Sequence, residues 1–348
     1  MKIRLDYGKS DLEIHLPDNL NIDVLESRYI QGLPEPSIVG RNVVDKYRIV
    51  QNNANDRDSH AFVGKTNSGN DVWLHKEYLD CDLRILTGFI EPHFFAGFSG
   101  GGKACLPGMA LLDTILKNHC PQNIDHPKAS WGITQGNPVW EEIQEAVEMC
   151  GPSFLVNVSM NRDKKITGVF AGDTRQAHER GCAFVRENAM LPVRAPYDIV
   201  ITSNSGYPLD LNLYQSVKGM SAGVQIVKDK GAIIIAADCW DGIPDHGEFK
   251  RLLFEADSPS SLLKHIRTQS VLLQDTWQAQ ILARICEKSD VYLFSSSLSD
   301  DEITKSMLNP CRDIRGTVES LIASYGTDAS FCVLPEGPLT IPYISSAI

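Results

Sequence analysis

Residues 198–239 read DIVITSNSGYPLDLNLYQSVKGMSAGVQIVKDKGAIIIAADC. The apolar run DIVITSNS is too short for a helix and ends in a turn, so it predicts a strand. After the loop GYPLDL, the stretch LNLYQSVKGMSAGVQIVKDKG carries apolar residues at helical spacing, and AIIIAADC predicts a second strand. Strand, helix and strand in that order form a βαβ crossover, the unit of parallel sheets. Further strands, DVYLFS and ASFCVLPEG, alternate with helical patterns at 260–268, 275–287 and 314–324. Upstream, the proline-rich and aperiodic LPVRAPYD reads as a boundary. The expected organisation is an α/β fold of two domains with mostly parallel sheets, 1–193 and 194–348.

The N-terminal part opens with KIRLDY and LEIHLP, two alternating segments around a GKS turn that predict a β-hairpin. YRIVQNN and DLRILTGFI predict strands, the second of them buried, and DVWLHKEYLD precedes that second strand. Helices are expected around MALLDTILKNH and VWEEIQEAVEMC. A strand pair follows in SFLVNVSMN and KKITGVFAGD, then a helix over 174–188 with Asp173 as its N-cap.

The 348 residues suffice for two domains with separate cores. Hydrophobic residues at 43% and charged residues at 22% place the chain among soluble globular proteins. A formal net charge of -11, without any Lys/Arg-rich run, removes the electrostatic footprint of a nucleic-acid binder. Nine scattered cysteines without a CxxC pair point to free thiols in a reducing compartment. The first residues hold no apolar core of signal-peptide length, and no run approaches the ~18 apolar residues of a membrane span. A cytoplasmic protein is expected, with neither membrane nor nucleic acid as partner.

Residues 91–108, EPHFFAGFSGGGKACLPG, nearly spell a phosphate-binding loop: Gly97, four residues, Gly102 and Lys103 match its first seven positions. The eighth should be Ser or Thr to bind Mg²⁺, and it is Ala104. Pro107 falls where the following helix should begin. These residues disfavour a P-loop nucleotidase. His93 and His119 flank Lys103, and loops after strand C-termini gather ligands in α/β folds. In LYQSVKGM, Tyr214 and Lys218 share a helix face at i,i+4, with Gln215 and Lys218 at i,i+3. A lysine near that helix's N-terminal turns favours a carboxylate or phosphate. The plain alternative is a glycine turn with a solvated lysine, packed or capping histidines and a packed tyrosine.

Taken together, GFIEPHFFAGFSGGGKACLPG, KNH, SNSGYPLDLNLYQSVKGM and DTWQAQILARI resemble the nickel-dependent lactate racemase family and its relatives acting on other 2-hydroxy acids. The resemblance spans the chain from about Arg41 to its end and again its first 38 or so residues. It implies two α/β domains with the active site in the cleft between them. It also implies a nickel pincer nucleotide, a pyridinium-3-thioamide-5-thiocarboxylic acid mononucleotide that holds Ni through one carbon and two sulfurs. On that pattern Lys103 is the thioamide tether, Gly100 and Gly101 border the cofactor, and His119 is the protein ligand of nickel. Imidazole suits Ni²⁺, and a pincer plus one nitrogen completes a square plane. His93 would be one of two histidines exchanging the substrate's hydroxyl proton while hydride leaves and returns to C2. Gln215 and Lys218 would hold the substrate carboxylate, with Tyr214 beside them and Trp277 packed near the cofactor. The partners implied are a small 2-hydroxy acid and the cofactor-biosynthesis enzymes.

Two departures from the family pattern stand out. Gly102 occupies a position where the family usually has arginine. More seriously, GLPEPSIV runs straight into GRNVVDKYRIV near 38–41, where relatives carry βα units with D-x-TRP and G-x-HRP motifs found nowhere in this chain. That block would supply the second catalytic histidine, so impaired activity is expected, as are bare strand edges and exposed apolar surface in the first domain. A non-catalytic homologue that binds the cofactor or a hydroxy acid is the alternative reading.

Overall fold

The computed structural model describes residues 50–345 except 152 and 162–164, together with the strand backbones Lys2–Tyr7, Ser10–His15 and Ile22–Val24. The shortened junction near 38–41 lies outside these residues. Of the strand expected at 47–53, only 50–53 is described, and it is irregular. Lys2–Tyr7 and Ser10–His15 pair antiparallel, as the opening alternation predicts.

A six-stranded, all-parallel sheet dominates the C-terminal part, in the order Asn309–Cys311, Asp290–Phe294, Val227–Ala236, Tyr197–Ser203, Phe331–Leu334, Ile22–Val24. Its central strands are buried on both faces. Val200, Ile233 and Ile235 join Val217 and Met220 of helix Leu213–Gly223 and Leu282 of helix Thr276–Lys288. Ile199, Ile201, Ile234, Phe331 and Val333 join Ile314, Val318 and Leu321 of helix Ile314–Tyr325 in a second cluster. Helices on both faces are why AIIIAA shows no alternation: every position has an apolar neighbour.

One expectation in this half needs correction. The helix stops at Gly223, and the polar stretch VKDK belongs to the following strand, which starts at Val227. The register slips there: Tyr197 pairs with Val227 while Ile199 pairs with Ala232, and Lys230 adopts φ 62°. The charged residues thus sit in a bulge at the strand's entrance, outside the apolar pattern. The short strand Met190–Val193, whose last three residues open the stretch LPVRAPYD, pairs parallel with Ile341–Ile344.

The N-terminal part holds a three-stranded sheet: Ile166–Asp173 antiparallel to Ser153–Met160, which lies parallel to Arg84–Phe89. Helix Thr174–Ala189 packs on one face, and Asp173 caps it by accepting the Gln176 N–H at 3.0 Å. On the other face Ile85, Phe154 and Val169 are 53%, 44% and 61% exposed. The expectation of a buried strand in DLRILTGFI therefore fails: only Leu86 and Ile90 are buried there. Arg84–Phe89 is the sheet's edge, with no strand beyond it among the described residues. Among the described residues, the unpaired edge and the exposed apolar face agree with the expectation of bare strand edges and exposed apolar surface in the first domain. No helix of the described residues is long and apolar enough to cross a membrane.

Candidate active site

From its edge strand the chain passes Glu91 and folds into a small hairpin, Pro92–His93 against Gly97–Phe98. A 3₁₀ turn, Gly101–Ala104, then lifts Lys103 from the loop. Gly100 and Gly101 have φ of 74° and 59°, a region that only glycine enters freely. A Cβ on Gly101 would lie 2.6 Å from the His178 ring, and one on Gly100 2.5 Å from Asn157 Oδ1. Asn157 Oδ1 also accepts the Gly101 N–H at 2.7 Å. Both glycines are thus explained by close packing behind the loop, and neither lines the cleft. The turn is four residues long and leads into no long helix, so the dipole that a P-loop aims at phosphate is missing.

Lys103 opens into a cleft of about 370 Å³. The structure brings all seven expected side chains to its wall: His93, Lys103 and His119 from the N-terminal part, Tyr214, Gln215, Lys218 and Trp277 from the C-terminal part. Asn212 caps the helix that bears three of them, accepting the Gln215 N–H at 3.0 Å. His119 is the C-cap residue of helix Leu112–Asn118. Its Nδ1–H donates to the Ile115 carbonyl at 3.1 Å, which leaves the Nε2 lone pair free. The ring sits between Phe95 and Trp277, with centroids 5.1 and 4.9 Å away, and Trp277 Nε1–H donates to the Tyr214 hydroxyl at 3.0 Å. His93 Nδ1 accepts the Ala96 N–H at 3.2 Å, so a neutral His93 carries its proton on Nε2.

The cleft keeps its bases neutral. Burial pushes His119 down to about 3, with nearby Lys103 adding to the effect and the Ile115 hydrogen bond opposing it. Burial, then Lys103, Lys218 and His119, hold His93 well below the usual histidine range. Lys103 falls to about 7 through burial and the Lys218 charge, opposed by Glu91. Burial also lowers Lys218 and raises Glu91, each effect opposed by the lysine–carboxylate attraction. An amine poised near neutrality is a nucleophile at physiological pH, and two lysines facing one carboxylate favour an anionic ligand.

Sequence reasoning missed Glu91 and Asp275. Glu91 stands two residues before His93, and the only signal was that it is the acidic residue nearest the lysine loop. Asp275 lines the cleft beside Tyr214 with φ 65°, an uncommon conformation for a residue other than glycine. It is the first residue of the DTWQAQ motif.

His178 fixes the back of the loop. Its Nε2–H donates to the Ser99 carbonyl at 2.9 Å, and Nδ1 accepts Trp140 Nε1–H at 3.4 Å. Burial lowers it to about 4. Because the folded value lies below the ordinary one, its contribution to stability holds above pH ~6.5 and is lost as pH falls toward 4. The expected cost is about 2 kcal/mol between pH 7 and 5. Denaturant titrations at both pH values should show that extra loss in the parent chain and not in His178→Gln.

Fold and cleft together define a two-part α/β protein whose halves meet over a lysine- and histidine-lined pocket suited to a small anion. More specifically, the chain belongs to the lactate racemase family, whose members are isomerases. The profile of the lactate racemase N-terminal domain matches residues 33–132, and that of the C-terminal domain residues 193–341. Lactate racemases of Thermoanaerobacterium thermosaccharolyticum and Lactiplantibacillus plantarum are each 38% identical over 300 residues, 86% of this chain and 70% of theirs. The lactate racemase apoprotein structure from T. thermosaccharolyticum superposes with a TM-score of 0.91 at 30% identity, over 98% of this chain and 100% of that one. A protein from Thermotoga maritima, 16% identical with a TM-score of 0.64 over 93% and 86% of the two chains, shares the fold.

Proposed function

We propose that this chain is a 2-hydroxy acid racemase or epimerase that works with a lysine-tethered nickel pincer nucleotide. The observation that carries the proposal is the pairing, in one cleft, of an amine lowered to about 7 with a buried imidazole whose Nε2 is free. The residues fit the group. Among the described residues no set of three or more His, Cys, Asp or Glu side chains could hold a metal ion, and a pincer that brings its own carbon and sulfurs asks only for one imidazole. When bound, the cofactor supplies the acceptor for the C2 hydride, a route that avoids a carbanion beside a carboxylate. Lys103 is the tether and His119 the ligand. Gln215 and Lys218 hold the substrate carboxylate, Tyr214 and Trp277 wall the cofactor, and Gly100 and Gly101 shape the loop that carries it. His93 would take up the substrate's hydroxyl proton as the hydride leaves C2 and return it as the hydroxy acid re-forms.

Proton exchange on the second face has no histidine among the described cleft residues beyond His93 and His119. Turnover is therefore slower than in a two-histidine site by roughly 10²–10⁴-fold. The same observation favours a second reading, a non-catalytic homologue that holds the cofactor or a hydroxy acid. We place the division between the two domains at 193–194, the chain in the cytoplasm, and the cofactor-biosynthesis enzymes among its partners. The test is the intact mass and nickel content of the chain after co-expression with those enzymes, followed by a screen of hydroxy acid enantiomers. A Lys103 adduct with nickel and racemisation supports the enzyme; an adduct without racemisation supports the binder. An unmodified, nickel-free chain overturns the enzyme and the cofactor-holding homologue; if calorimetric titration with hydroxy acids then shows no binding, the second reading falls entirely.

A further inference from the structure

A second cavity, of about 270 Å³, shares a wall with the cleft: Phe94 and Phe95, the two residues after His93, line both. Two helices reach both as well. Leu213–Gly223 presents Tyr214, Gln215 and Lys218 to the cleft and Ser221, three residues further on, to the cavity. Thr276–Lys288 presents Trp277 and Gln278 to the cleft and its last two turns to the cavity. On those turns Ile281 and Ile285 stand at i,i+4, and so do Arg284 and Lys288, which sets an apolar pair beside a cationic pair. Ile124 from the N-terminal part is buried and extends the apolar wall.

Among the described residues this wall carries two cations and no carboxylate. Each cation is held by a carbonyl and keeps donors to spare. Arg284 Nη1–H donates to the Ile124 carbonyl at 2.8 Å and Lys288 Nζ–H to the Val224 carbonyl at 2.8 Å, one donor of the guanidinium's five and one of the ammonium's three. The Asp125 carboxylate stands 3.8 Å from Arg284 Nη1, but Arg267 Nε engages it at 2.7 Å. Ser221 Oγ accepts Trp131 Nε1–H at 3.1 Å, which leaves the serine's own proton to donate.

We propose that this cavity is an accessory binding site, separate from the cleft, for a small monocarboxylate with an apolar body. The carboxylate sits between Arg284 and Lys288, and the body lies against Ile281, Ile285 and Phe95. A guanidinium fork matches the two oxygens of a carboxylate, and partners already fixed by carbonyls lose little freedom when the anion arrives. A neutral apolar molecule would strip water from two cations without replacing its hydrogen bonds, and a bare inorganic anion would leave the apolar wall in water. The volume falls just below the range of about 300–1,000 Å³ that serves drug-sized ligands, so the occupant is smaller than those. None of these groups is assigned to the cofactor or to the hydroxy acid. The site therefore stands or falls apart from the proposed function.

The experiment is calorimetric titration of the full-length chain with hexanoate and phenylacetate, and with acetate and 1-hexanol as probes that carry only the charge or only the apolar body. Hexanoate or phenylacetate is expected to bind, with acetate and hexanol each weaker by roughly tenfold or more. Arg284→Gln combined with Lys288→Gln should weaken the acid by about tenfold or more, and Ser130→Phe, which keeps both charges and fills the cavity, should abolish binding. Lys218→Ala, which removes the cleft's own carboxylate partner, should leave this binding in place. Circular dichroism checks the fold of each variant. Binding that vanishes in Lys218→Ala and survives the Arg284/Lys288 double variant would place the acid in the cleft and overturn the proposal. So would hexanol as tight as hexanoate, or no binding of either acid.

Discussion

Lys103→Ala is expected to yield a chain of bare sequence mass with no retained nickel after co-expression with the cofactor-biosynthesis enzymes, whereas His119→Ala keeps the adduct and loses the metal. The two variants separate a covalent bond from a coordinate one. At pH 7 an ordinary lysine near 10.4 is neutral in only a few molecules per ten thousand, whereas an amine at about 7 is neutral in half, a gain of roughly 10³ in nucleophile. Lys103→Arg keeps the positive charge beside Lys218 and Glu91 but has no neutral amine, so it should fail like alanine. If it carried the adduct, attachment would lie elsewhere. The depressed value also predicts that attachment in vitro rises with pH through a midpoint near 7, well below that of any solvated lysine. His119→Ala removes the one free imidazole lone pair among the described cleft residues without touching the loop. Unchanged nickel in that variant would remove His119 as ligand, and unchanged nickel in both would remove the cofactor reading altogether.

Much of this arrangement was legible from the chain because its signals are local. The helices Leu213–Gly223, Thr276–Lys288 and Ile314–Tyr325 show their buried faces at helical spacing, and the parallel strands show theirs as unbroken apolar runs. The errors share a different cause. DLRILTGFI looks buried only if something covers its outer face; Ile85 has the composition of a core residue and the exposure of a surface one. VKDKG looks helical until the bulge opposite Tyr197 turns its charges out of the sheet. Glu91 and Asp275 escaped because their significance lies in neighbours distant in sequence, Lys218 for the one and Tyr214 for the other. Even Gly102 changes meaning. Where arginine was expected from the family pattern, the loop lies so close to Ile143 and Val147 that any side chain would displace them.

Glu142 shows the same limit at its largest energetic scale, and Glu142→Leu is expected to be the most destabilising single change in the N-terminal part. Glu142 is 4% exposed on the helix Pro138–Met149, a position where periodicity alone calls for an apolar side chain. Oε1 accepts from the Thr66 hydroxyl at 3.0 Å and from the Ser68 hydroxyl. Oε2 accepts Asn70 Nδ2–H at 3.1 Å and Asn118 Nδ2–H at 2.7 Å. Leucine fills the space yet strands the Thr66, Asn70 and Asn118 donors, all buried. Each such group costs about 1–3 kcal/mol when unsatisfied, so a total of about 3–5 kcal/mol is expected, with the thermal midpoint lowered by roughly 10 °C. Glu142→Gln retains one acceptor oxygen but turns its NH₂ toward two donors, and should recover about half of the loss. The consequence reaches the cleft, because Asn118 immediately precedes His119 and is the residue by which Glu142 anchors the end of helix Leu112–Asn118. Calorimetry of both variants decides the matter. A midpoint within 2–3 °C of the parent in Glu142→Leu, below roughly 1 kcal/mol for a chain of this size, would mean that the four donors find other partners and that the carboxylate is not what holds the His119 helix in place.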